Sequence, residues 1–302
     1  MAVKVPYTPK KQPVIEFIPF DGLKFKTEFW QHAEGSTYIG RILYVHGFAE
    51  DSKMYCEYFD ILSDLGFDIF FFDQRGAGET SPEKDHGKTN ESLVYKDLEF
   101  IIKKNLESMK QKDPKEKLIL MGHSMGGGIV LNYAVKGKYR DQIRAIVATG
   151  PMVLLHPSTA PNFLLKTFSN LAYKLAPNFR LDAGLNINYV TSNEKWQKYI
   201  AGHTKKFWIT SNLFHGMLHR GENLTKPEYV SSFDPDIPVL VFHGTNDQIN
   251  WLDGTKKFID LLHDNVDKEF VPIKNARHSL AVEVDPLRDQ VIDKIVDYFK
   301  TH

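Results

Sequence analysis

The chain has 302 residues with 38 Lys and Arg against 38 Asp and Glu, a formal net charge of zero, which argues against nucleic acid as a partner because displacing phosphate counterions takes a basic surface. Its single cysteine, Cys56, excludes an intrachain disulfide and suits a reducing compartment. The start MAVKVPYTPKKQP lacks an apolar segment of signal-peptide length and no run of 18 apolar residues occurs, so a cytoplasmic protein, at most peripheral on a membrane, is expected.

Along the chain, Asp21-Gly22 lies between apolar-rich segments 14–20 and 23–30 and reads as a hairpin turn. Apolar runs bounded by turn residues follow at 42–45, 67–72, 118–121, 143–148, 239–242 and 269–273. Helical patterns fall between them at 54–65, 91–109, 125–136, 254–263 and 286–300. Cys56 sits among Tyr55, Tyr58, Phe59 and Leu62 in the first of these, a packing position. A hairpin followed by alternating β and α units predicts an α/β fold: a mostly parallel eight-stranded sheet with helices on both faces. Segment 151–232 breaks the alternation and is rich in aromatics. It is expected to be a helical cap inserted into a core made of 1–150 and 233–302.

The run LILMGHSMGGG, 118–128, places Ser124 between a buried strand and a helix. Gly122 and Gly126 keep Cβ atoms out of a sharp turn. This is the G-x-S-x-G arrangement that lifts a serine hydroxyl out of the sheet edge.

Catalytic groups in such sheets gather at the carboxyl ends of strands. HGTND after 239–242 offers Asp247, with Asp253 as the rival acid, and NARHS after 269–273 offers His278. The chain order Ser124, Asp247, His278 matches the Ser–Asp–His order of α/β hydrolases and neither of the two classical protease orders. His278 would take the Ser124 proton and Asp247 would hold its tautomer. HGFAE after 42–45 puts the backbone N–H of Phe48 where, with that of Met125, it can meet a developing oxyanion.

GHSMGGG, HGFAE, FDQRGAG at 72–78, HGTND and NARHS, together with TGPMVLLHP and RLDAGL, resemble the monoglyceride lipases of the α/β-hydrolase superfamily, the fungal, yeast-type branch in particular. The likeness covers nearly the whole chain. It implies a serine esterase that cleaves monoacylglycerols to glycerol and fatty acid without cofactor or metal, working at lipid droplets or another membrane surface. It also implies that Glu50 contacts the glycerol end. Three positions depart from the family pattern: Ala281 replaces a second histidine, no arginine stands at Lys53-Met54, and Asn275 replaces a glycine before the catalytic histidine. Asn tolerates left-handed angles next best.

In 162–176, Leu164, Phe168, Leu171 and Leu175 form one helical stripe, expected to bind acyl chain or a lipid surface. The loop Asp73–Gly78 lacks the third glycine and the Lys-Ser/Thr of a phosphate cradle, so Asp73 and Arg75 are expected in local hydrogen bonds. His215 and His219 have the spacing of zinc ligands, but Gly216 stands where a metalloprotease has its glutamate. They are placed at the cap or pocket rim. Competing functions are a broader carboxylesterase or lysophospholipase, a serine aminopeptidase, and a non-catalytic binding homologue.

Overall fold

The computed structural model describes residues 3–160, 172–204 and 206–302. Strand β1 (Val14–Phe20) pairs antiparallel with β2 (Leu23–Trp30), Phe20 opposite Leu23. Asp21 and Gly22 close the hairpin with φ of 49° and 78°, the pair of positive angles whose twist matches that of the flanking strands.

The remaining strands of the main sheet are β3 (Gly40–Val45), β4 (Phe67–Phe72), β5 (Leu118–His123), β6 (Ile143–Thr149), β9 (Val239–Gly244) and β10 (Lys268–Ile273). The order is β1-β2-β4-β3-β5-β6-β9-β10. β2 runs antiparallel to β4, and every later pair is parallel. The chain steps from β3 outward to β4, then returns to place β5 on the other side of β3. That reversal opens a crevice between the carboxyl ends of β3 and β5, the place where ligands bind in such sheets.

Helices α1 (Cys56–Asp64), α2 (Glu91–Lys110), α3 (Met125–Lys136), α4 (Glu194–His203), α5 (Ser211–Asn223), α6 (Pro227–Val230), α7 (Leu252–Leu261) and α8 (Leu287–Phe299) join these strands. Alternate residues of the central strands feed two cores. Leu43, Leu120, Ile146 and Val241 meet α2, α3 and α7 on one face. Tyr44, Met121, Val147 and Phe242 meet α1 and α8 on the other. Period-two alternation with both sides apolar is why these strands read as continuous apolar runs. Cys56 is buried in the second core, where burial pushes its thiol up to about 12.

Between β6 and β9 the structure differs from an all-helical insertion. β7 (Arg180–Asp182) and β8 (Trp208–Thr210) form a small antiparallel sheet, too short at three residues each to announce themselves by alternation. Helix α5 sends Leu213 and Met217 into the first core, and α4 sends Trp196, Tyr199 and Ile200 into the second. Leu164, Phe168 and Leu171 lie outside the described residues. Leu175 of the same stripe is 75% exposed. His215 on α5 stacks on Tyr173, ring centroids 3.9 Å apart, with His219 one turn on.

Candidate active site

Strand β5 turns into α3 through Ser124, whose φ is 53° and ψ −117°, a conformation costing on the order of 1–3 kcal/mol for a residue with a Cβ. The surroundings impose it. Ser124 N donates to Thr149 O at 3.0 Å, and its own carbonyl accepts from Gly128 N at 3.0 Å and Met152 N at 2.8 Å. A Cβ on Gly126 would collide with the Val45 carbonyl, and one on Gly122 with the Gly126 carbonyl. These two glycines let the first turn of α3 sit against the ends of β3 and β5.

The close approach also brings the loop after β3 to the serine. A Cβ on Gly47 would come within 3.1 Å of Ser124 Cβ. Phe48 follows directly, and Ala49 turns the chain with φ 56°. The segments carrying the Phe48 and Met125 amides therefore flank one spot beside Ser124.

At the far edge, His278 Nδ1 lies 2.7 Å from Asp247 Oδ2. Asp247 Oδ1 accepts from Ile249 N at 2.8 Å and Asn250 N at 2.9 Å, so the loop after β9 fixes one carboxylate oxygen and leaves Oδ2 to His278. Burial alone would raise the Asp247 carboxyl, but the charge of His278 and the hydrogen bonds of His243 and His278 outweigh it and hold it well below the usual carboxylate range. Burial alone would lower His278; the Asp247 charge and hydrogen bond, with Glu50 adding, leave it raised. The rival Asp253 sits on α7, its side chain 58% exposed and paired with Lys256 at 3.1 Å.

Three partners escape sequence reasoning. His243 Nε2 lies 3.2 Å from Asp247 Oδ2. His123, fully buried, sets its ring 4.8 Å from that of His278, and burial, aided by the His278 charge, pushes it down to about 3. Tyr55 donates its hydroxyl to Glu50 Oε2, which also accepts from Gly47 N at 2.6 Å. The signal that could have found the two histidines is an imidazole closing an otherwise apolar buried strand, since buried titratable groups concentrate at sites.

Glu50 lies at this crevice, its Oε1 3.6 Å from His123 Nε2, and burial raises its carboxyl. Asn275 takes φ 67°, the left-handed turn that its place before Ala276, Arg277 and His278 requires. Asp73 bonds within its loop, Oδ2 accepting from Glu79 N at 2.8 Å. Arg75 does not: it reaches Asp97 on α2 at 2.7 Å and Asp21 of the hairpin at 2.9 Å, because acidic partners outside the loop neutralise it better than backbone groups inside. Ser124, His278, Phe48 and Glu50 together line a cavity of about 370 Å³ whose other walls include Met152, Leu155, Phe207 and Phe214.

A parallel sheet that reverses direction at β3, with a strained serine on the adjoining strand-to-helix turn, defines the α/β-hydrolase class, and the family described as serine aminopeptidase, S33, matches residues 37–285. The chain is 36% identical to the monoglyceride lipase of Saccharomyces cerevisiae, over 98% of this chain and 97% of that protein. A monoacylglycerol lipase of Mycolicibacterium smegmatis is 26% identical over 87% of this chain and 89% of its own. The crystal structure of a soluble variant of the Saccharomyces cerevisiae monoglyceride lipase, in complex with a substrate analogue, is similar with a TM-score of 0.92 and 34% identity, covering 99% of this chain and 98% of that one. The chain belongs to the monoglyceride lipase family.

Proposed function

We propose that the protein hydrolyses the ester bond of monoacylglycerols, releasing glycerol and a free fatty acid through an acyl-enzyme. One observation carries the reading: in a chain of this family, Ser124 on its strained turn and His278 paired to Asp247 line the same largely apolar cavity.

With its Nδ1 proton directed at Asp247, the neutral His278 ring keeps a lone pair on Nε2. That nitrogen takes the Ser124 Oγ proton as the oxygen attacks the ester carbon. The Phe48 and Met125 N–H groups receive the carbonyl oxygen as it becomes an oxyanion. Collapse returns the proton from His278 to the departing glycerol oxygen, and a water repeats the sequence to free the fatty acid. Glu50, beside Ser124, accepts a hydrogen bond from a glycerol hydroxyl. Segment 151–232 acts as the lid, with Leu164, Phe168 and Leu171 contacting acyl chain or lipid surface; the exposure of Leu175, Phe179 and Leu181 around that stretch, 75%, 54% and 44%, supports this. The contact is read as peripheral, on lipid droplets or intracellular membranes facing the cytoplasm; no helix among the described residues is long and apolar enough to cross a membrane.

A peptidase on this fold needs an ionised carboxylate facing the substrate amine, and burial works against that charge on Glu50, whose free Oε1 can accept from a hydroxyl in either form. The ester reading fits better. Its test is fatty-acid release from monoacyl-, diacyl- and triacylglycerols, lysophospholipid and an aminoacyl anilide. Preference for monoacylglycerol is expected, and faster cleavage of the anilide or lysophospholipid would refute the reading.

A further inference from the structure

Leu185, Asn186, Tyr189 and Val190, within segment 151–232, line the cavity that holds Ser124 and His278. A second cavity, of about 450 Å³, shares Phe48 and Glu50 with it but is lined by neither this segment nor His278. The segment lies directly on the turn 275–279 that carries the base. His278 N donates to the Tyr189 carbonyl at 3.4 Å, and Ser279 N to that of Val190 at 2.7 Å. The Arg277 guanidinium donates to the carbonyls of Asn188 at 2.7 Å and Thr191 at 2.9 Å. Cavity wall and base loop are thus joined along one seam.

Glu283 closes that seam from inside. It is fully buried and follows the buried apolar residues Leu280, Ala281 and Val282. Its Oε1 accepts from Arg277 N at 2.8 Å and Ser192 N at 3.1 Å. Its Oε2 accepts from Val284 N at 3.1 Å and from the Ser192 hydroxyl. One side chain therefore ties the residue just before His278 to the end of the cavity wall. An apolar side chain there would avoid the cost of burying polar oxygens, but it could not hold two loops by their N–H groups. The link matters because Asp247 fixes only the ring nitrogen of the base, while its backbone sets where the ring stands. A displacement of about 1 Å in such a group can cost about a hundredfold in rate. A long acyl chain filling the cavity presses on the wall, and the seam passes that contact to the base. Binding energy from a remote part of a substrate then appears in the chemical step, and a truncated substrate loses kcat.

We propose that Glu283 is a positioning residue that couples the acyl-chain wall to His278, so that preference for a longer acyl chain is set in kcat and not in KM. The proposal rests on the ester-hydrolase reading above and adds to it a determinant of chain-length selectivity that touches neither substrate nor reacting atoms.

The test measures kcat and KM separately on 1-butyrylglycerol and 1-octanoylglycerol, each below the concentration at which it forms micelles. In the wild-type enzyme the octanoyl ester should have the larger kcat. Glu283→Gln keeps the shape but turns one acceptor oxygen into a donor. The octanoyl-to-butyryl ratio of kcat should then fall about threefold to tenfold, the effect of one lost hydrogen bond, while the octanoyl KM moves less than about twofold. Ser192→Ala should lower the ratio in the same sense by a smaller factor, and Ser192→Thr, which keeps the hydroxyl, should restore it. A wild-type chain-length preference that lies in KM alone overturns the proposal and leaves the monoacylglycerol reading intact. So does a Glu283→Gln enzyme that loses kcat equally on both esters with a lowered melting temperature, the result of a merely structural role, or one whose ratio stays unchanged. If Glu283→Gln does not fold, Ser192→Ala against Ser192→Thr decides by the same ratio. Failure of the wild-type enzyme to cleave either ester would instead overturn the reading beneath it.

Discussion

His243 and Asp247 meet inside the carboxyl edge of the sheet, His243 Nε2 lying 3.2 Å from Asp247 Oδ2. That oxygen also takes His278 Nδ1 at 2.7 Å. The same Nε2 lies 3.2 Å from the Asn250 carbonyl. Both neighbours are acceptors, so Nε2 carries the proton, and in the neutral ring Nδ1 accepts from the Thr255 hydroxyl 3.0 Å away. Asp247 and the Asn250 carbonyl thus select the tautomer in which His243 steadies Asp247, and Thr255 satisfies the other ring nitrogen. A hydrogen bond to a charged group is worth about 1.5–3 kcal/mol. His243→Phe is therefore expected to lower kcat/KM on a soluble ester by at least about tenfold, and Thr255→Val by less, with Thr255→Ser near wild type. Unchanged kinetics in a folded His243→Phe would show that Asp247 needs no second anchor.

Ser124→Ala should abolish ester hydrolysis and covalent labelling by a fluorophosphonate, since removal of a triad nucleophile typically costs many powers of ten. The backbone strain gives a second readout. At φ 53° glycine sits more easily than alanine, so Ser124→Gly should be equally inactive yet melt a degree or more above Ser124→Ala, a shift of order 1 kcal/mol. Turnover within tenfold of wild type in either variant would remove Ser124 from the mechanism.

The pH dependence follows from opposing shifts. Burial favours neutral His278, yet Asp247 prevails and leaves it above the ordinary 6.5. The base acts when neutral, so kcat/KM should rise with pH through a midpoint above 6.5. The linked stability has the opposite sense: it is fully present below 6.5 and fades as pH rises through the raised value. For Asp247, burial acts upward but the two histidines hold the carboxyl far below 3.8, so its contribution is present above 3.8 and lost as pH falls through the depressed value. Asp247→Asn should cut the rate by about 10⁴ through the wrong tautomer, and it should move the residual midpoint below 6.5, as burial is then opposed only by the smaller effect of Glu50. Asp253→Asn should stay within about twofold of wild type. The reverse ranking would misassign the acid.

The lid reading is tested by Leu164→Ser with Phe168→Ser. Each large apolar side chain withdrawn from water contributes about 1.5–3 kcal/mol. Selective loss of long-chain monoacylglycerol hydrolysis and of liposome binding, with a soluble acetyl ester still cleaved, is the expected outcome. Equal loss on both substrates with a lowered melting temperature would make the stripe ordinary packing.

Legibility in the sequence tracked how local each interaction is. The strands appeared because both faces of the central sheet are covered, which leaves uninterrupted apolar runs such as those ending at Val45 and Phe242. Asn275 and Asp21-Gly22 appeared because a positive φ restricts residue choice at a single position. β7 and β8 did not, because three-residue strands carry no period. Arg75 was misjudged because its partners lie on α2 and in the hairpin, 22 and 54 positions away.

By itself, then, the sequence determined the order of the elements, the serine on its glycine-framed turn and the chain order Ser124, Asp247, His278. Each of these depends on periodicity or on the backbone angles of a few adjacent residues. Only the tertiary structure decided which aspartate meets His278, that His243 shares its oxygen, that His123 packs on His278, and that two cavities share a wall at Phe48 and Glu50. Those relationships join residues from different strand ends, such as Asp247 and His278, 31 positions apart. Strand order and register set their distances, and no local pattern in the chain encodes them.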